Sequence, residues 1–166
     1  SYNHVIPYYV YENRRIGKRE DGEVTGVSYI NQMTAKELYE KIGKPKKAKE
    51  IYENLAKYYL KKKPGDAWAG LAGSDAARFA LDAGNIDLAI TGYLKGDDYI
   101  EAVKLCLEHG KTDRAKRAYK KGIQHYENGL YLDLAKQLAE LMEDQKKTKL
   151  YQTISEEMGK VEPNLY

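Results

Sequence analysis

One short pattern recurs along this chain and limits what it can fold into. It reads Gly84-Asn85…Ala89…Tyr93, then Gly96-Asp97…Ala102…Cys106, then Gly110-Lys111…Ala115…Tyr119, with an earlier copy at Gly43-Lys44…Ala48…Tyr52 and a degraded one at Gly129…Ala135…Ala139. A glycine just past a helix takes the left-handed conformation that closes the last turn. A polar residue after it, such as Asn85 or Asp97, can cap the next helix. An alanine and a tyrosine or cysteine four residues apart share one helical face. Each copy therefore spells helix end, tight turn, helix start and packing seam.

The helices follow in order. A capping box, Thr34-x-x-Glu37, opens one that ends at Gly43, and Pro45 suits the first turn of the next, to Lys62. Pro64-Gly65 stops it. Asp66 caps a third to Ala83, rich in small residues. The pattern then predicts helices over 85–95, 97–109, 112–121 and 123–144, the last bent near Asn128-Gly129, and a terminal one over 146–158 with a polar outer face. Residues 1–33 differ. Val5–Tyr11 and Glu23–Ile30 are rich in β-branched residues and tyrosine around the turn dipeptide Asp21-Gly22, which predicts a β-hairpin or an extended arm. The organisation is thus an N-terminal segment 1–33, a helical domain 34–159 and a tail 160–166.

The turn, small residue and aromatic resemble the start of the second helix of a tetratricopeptide-type repeat, over roughly 34–140. The resemblance implies an all-α fold: a tetratricopeptide-like, right-handed array of antiparallel helical hairpins, an α-solenoid. The spacing between copies departs from the steady ~34-residue period of such arrays. The resemblance also implies a groove lined by first-helix side chains eleven and seven residues before each seam alanine. Those positions hold Glu37 and Lys41, Arg78 and Asp82, Lys104 and Glu108, and Gln124 and Asn128. Three of the four are opposite-charge pairs four residues apart, which also serve as ordinary helix support. The Asn and Lys/Arg set with which family members clamp a C-terminal carboxylate does not occur as a set. A partner protein or peptide is the expected ligand.

Charge separates the alternatives. The chain carries +3 overall, too little for a general nucleic-acid or membrane magnet. It is distributed in blocks: ten lysines against four acids over 34–63, three bases against eight acids over 64–110, six bases against two acids over 111–129. Nucleic acid is the second expectation, through the basic faces 44–49 and 111–121, with Tyr52 and Tyr119 to stack on bases. Sixteen tyrosines stand beside one Phe and one Trp; the rings either fill shallow cores or form an aromatic surface. No apolar run approaches the ~20 residues of a membrane span. Ser-Tyr-Asn-His is no signal peptide, and the missing Met suggests a processed or excised fragment. The single cysteine, Cys106, fits a reducing, cytoplasmic setting.

Chemistry-bearing motifs fall short. Gly110-Lys111-Thr112 imitates the end of a phosphate-binding loop, but position 105 is Leu105 where the motif needs Gly. Cys106 and His109 could reach one metal ion, yet two ligands do not make a structural site, and a core thiol beside a helix-terminal histidine accounts for both. His4 and His125 have no evident partner. The residues predict a non-enzyme with no cofactor and no metal.

Overall fold

The structure, a computed structural model, describes residues 36–37, 39–41, 43–66 and 69–161. The expected β-hairpin, the Thr34 cap and the last tail residues lie outside them. Among the described residues all regular structure is helical: α1 Pro45–Leu60, a 3-10 turn Ala69–Leu71, α2 Ala72–Asp82, α3 Ile86–Lys95, α4 Tyr99–Glu108, α5 Thr112–Asn128, α6 Leu132–Leu141 and α7 Gln145–Val161. Residues 36, 37 and 39–41 are helical as well. The described residues are thus all-helical, and the chain divides into two compact units, Ser1–Gly92 and Tyr93–Tyr166.

Among the described residues one turn is used six times. Gly43, Gly84, Asp97, Gly110, Leu130 and Glu143 are left-handed, with φ of 72°, 73°, 56°, 65°, 56° and 55°. The next residue in each case (Lys44, Asn85, Asp98, Lys111, Tyr131, Asp144) donates its N–H to the carbonyl five residues back, at 2.8–2.9 Å. That bond closes the outgoing helix in the Schellman manner. The carbonyl of the same residue accepts the N–H four residues on, from Ala48, Ala89, Ala102, Ala115, Ala135 and Thr148. One residue thus ends one helix and begins the next. Asn85, Asp98 and Asp144 reinforce the start through side-chain oxygens that accept from Leu88, Glu101 and Lys147 N–H.

This geometry corrects several expectations. The left-handed residue is Asp97 rather than Gly96 and Leu130 rather than Gly129, so the cap before α4 is Asp98, not Asp97. Sequence spacings of five or six from glycine to alanine become a uniform five from the left-handed residue. Gly129 has φ −87°; a Cβ there would meet the ring of exposed Tyr131, which can turn aside. Asp66 does not cap α2: its Oδ2 accepts from Lys63 N–H at 2.7 Å, and α2 begins later, at Ala72, with Leu71 at its N-cap. α5 runs unbroken through Gly122, where two helices were expected. A Cβ at Gly122 would lie 2.6 Å from Leu138 Cδ2 and 2.6 Å from Tyr99 Cβ, so this glycine marks close packing, not a break.

Leu130 is 73% exposed and left-handed, a conformation that costs a branched residue about 1–2 kcal/mol. Leu130→Gly removes that strain and adds unfolded-state entropy, for an expected net gain of about 0.5 kcal/mol. Urea melts of the two chains check it; a loss of stability would contradict the assigned turn.

In the first unit α1 buries Ala48, Tyr52, Leu55, Ala56 and Tyr59, and α2 packs against it with Ala72, Ala76, Phe79 and Ala80. The Tyr52 and Tyr59 rings stack on Phe79 at centroid distances of 6.0 and 5.9 Å. In the second unit α4 packs on α5 and α6, α5 on α6, and α6 on α7. Its core is small: Ala102, Val103, Cys106, Ala115, Ala118, Ala135, Leu138 and Ala139, closed by Tyr99, Tyr126 and Tyr151. Apolar burial at the seams is what holds such short helices, since ten residues alone would not remain helical in water.

Candidate interaction surface

The eight groove positions divide evenly between the units. Glu37, Lys41, Arg78 and Asp82 belong to the first, Lys104, Glu108, Gln124 and Asn128 to the second, and all eight are exposed. The seam alanines that fix their register, Ala48, Ala89, Ala115 and Ala135, are buried. At Arg78 and Lys104 the ion pair runs to the preceding turn rather than to the acid four residues on. Arg78 Nη2 lies 3.1 Å from Asp75 Oδ1, and Lys104 Nζ lies 2.6 Å from Glu101 Oε1. Side chains on a helix lean toward its N-terminus, which brings an acid three residues earlier within reach of a long cation. Hydrogen bonding and attraction to Glu101 hold the Lys104 ammonium above its usual value.

A polar network in the second unit joins α5 to the start of α7. Tyr119 Oη donates to Asp144 Oδ2 at 2.6 Å. Lys147 Nζ and Tyr151 Oη both donate to Glu127 Oε1, at 2.6 and 2.5 Å. The Lys147 and Tyr151 hydrogen bonds hold the Glu127 carboxyl below its usual range, and Tyr119 with the Lys147 backbone does the same for Asp144. Burial first, then the accepting carboxylates, pushes both phenols well above their usual value. No single motif announced this network, because its members are 20 to 25 residues apart.

The sign of its pH dependence follows. A depressed carboxyl contributes stability that is complete above its unfolded value, about 4, and is lost as pH falls through the folded value. A raised phenol contributes stability that is complete below about 10 and is lost as pH rises past it. The melting temperature should therefore fall at both ends of the pH range. The double variant Glu127→Gln/Asp144→Asn should show a shallower acid limb; an acid limb of unchanged depth would remove the network from the account.

The basic faces are exposed at Lys44, Lys46, Lys47 and Lys49 and at Lys116, Arg117, Lys120 and Lys121. The rings proposed to stack beside them are committed elsewhere: Tyr52 packs on Phe79 and Tyr119 bonds Asp144. No family model, curated protein or solved structure matches the chain. Among the described residues no three His, Cys, Asp or Glu side chains come together to hold a metal ion. Cys106 is buried, whereas His109 is exposed at the C-cap of α4, so the two do not converge on one ion. Among the described residues no helix is long and apolar enough to cross a membrane.

Two surface grooves were not legible in the sequence. One, of about 870 Å³, is lined by residues of α6 and α7, three of which bond one another: Lys136 Nζ donates to Gln152 Oε1, and Gln152 Nε2 to Glu156 Oε1. The other, of about 630 Å³, is lined by Leu130, Tyr131, Leu134 and Met158. The expected polar outer face of the terminal helix is interrupted by exposed Leu150 and Met158.

Proposed function

We propose that this chain is an interaction module without catalytic turnover: a tetratricopeptide-like array of helical hairpins that holds a segment of a partner protein against its first-helix side chains. The observation that supports this reading is the register. Where the seam alanines are fully withdrawn from solvent, the side chains eleven and seven residues earlier all stand exposed. Within each unit, packed helical hairpins offer such side chains to an extended or helical ligand. Mixed charge along it suits a partner carrying both signs.

The test is selection of binding peptides from a display library on the full chain, followed by titration of the selected peptides against Arg78→Glu and Lys104→Glu, read separately. Each reversal is expected to weaken binding while shifting the melt little, because exposed helix pairs contribute only about 0–1 kcal/mol. Peptides that bind both variants as tightly as the parent would reject the groove.

A further inference from the structure

The exposed face of α5 carries an electrostatic feature that the mixed-charge groove does not use. Between Asp113 and Glu127 the sequence has no acid, while Lys116, Arg117, Lys120 and Lys121 are all exposed. Among the described residues none forms an ion pair with these four cations. Gln124 and Asn128 continue the same face toward the C-terminus of the helix, so no apolar side chain interrupts it.

We propose that this face docks an acidic α-helix of a partner protein, a proposal that rests on the interaction-module reading and names the chemistry of one ligand. The argument is geometric. The cations form two rows, Lys116 with Lys120 and Arg117 with Lys121, each spanning four residues or about 6 Å of rise. A second helix with Glu or Asp at positions i, i+1, i+4 and i+5 repeats that two-row lattice. An extended chain presents carboxylates on one side in single file, about 6.8 Å apart, and fills only one row. A long polyanion fits less well. The unit Tyr93–Tyr166 has as many acidic as basic side chains, so it lacks the broad positive field that gathers phosphates. Tyr119, the ring nearest in sequence, has its hydroxyl tied to Asp144, so it is not free to swing toward a base. Docking by charge alone is fast and salt-sensitive.

The experiment is fluorescence anisotropy on the full chain with three labelled probes: an alanine-based helical peptide bearing Glu-Glu pairs four residues apart, a proline-interrupted peptide of the same charge, and a short oligothymidine. The helical peptide should bind at low ionic strength and weaken about tenfold or more as salt shortens the reach of the charges. Arg117→Glu/Lys121→Glu should cost about tenfold in affinity, with an unchanged melting curve to exclude unfolding. No binding of the helical peptide, equal binding of the interrupted one, tighter binding of oligothymidine, or indifference to the double reversal would each overturn the proposal. Display-selected peptides that are not acidic and are lost on Lys104→Glu would leave the interaction module standing while removing this ligand. A library that yields no binder at all would remove the module itself.

Discussion

Ala115→Glu should destabilise the chain by at least about 3 kcal/mol, because it forces an unpaired carboxylate into a fully buried seam. Ala115 has no solvent exposure and sits one turn inside α5, its N–H bonded to the Lys111 carbonyl of the shared turn. At a position with no solvent exposure the glutamate reaches water only by parting packed helices. Ala89→Glu tests the same register in α3, where the alanine is equally buried. Denaturant midpoints at neutral pH report the effect. A midpoint within experimental error of the parent for either variant would mean that the register is misassigned at that seam.

The second large effect is expected at Gly92. A Cβ on this residue would lie 2.5 Å from the backbone nitrogen of Ala77 and 2.9 Å from its Cα. Backbone cannot step aside as a flexible side chain can, so α3 must lift away from α2. Replacing glycine by alanine inside a helix normally gains about 1 kcal/mol; here the overpacking outweighs it. Gly92→Val should cost about 2–3 kcal/mol, at the upper end of what inserting methyl groups into a packed core costs. Gly159→Ala is the control: it lies in α7, and its Cβ would meet nothing within 4 Å. That variant should gain stability by about 0.5–1 kcal/mol. If both glycines respond alike, close approach is not what selects Gly92.

These two variants also mark how far the sequence can be read. The seam alanines were legible because a small residue at a fixed distance from a turn has one physical use, and their burial follows from it. The helical class was legible for the same reason. Turn positions were less so. Asp97, Leu130 and Glu143 take a left-handed backbone that propensity assigns to glycine, and at Asp97 and Leu130 the neighbouring Gly96 and Gly129 drew the prediction one residue early. Glu143 has no glycine beside it to signal its turn, and the expected helix 123–144, bent near Asn128-Gly129, joins the second half of α5 to α6. Gly122 misleads in the opposite direction: in sequence it resembles a break, and in the fold it is where Tyr99 and Leu138 leave no room for a Cβ. Of the groove, exposure was legible but pairing was not, since Arg78 and Lys104 each have acids on two sides and only side-chain direction chooses Asp75 and Glu101.

The shared turn leaves the chain no slack. Because Lys44, Asn85, Asp98, Lys111, Tyr131 and Asp144 each close one helix and open the next, there is no linker residue in which an added amino acid could be stored. One extra residue at any of these joints would rotate everything downstream within that helix by about 100°, swinging the seam alanine out of the packing. Length variation in proteins built this way should therefore be confined to stretches that lack the double-duty residue. The segment between Leu60 and Ala72, with its own left-handed Gly65 and a 3-10 turn, is such a stretch. An insertion there is absorbed as loop, whereas the same insertion after Gly84 or Gly110 acts as a frameshift of the fold.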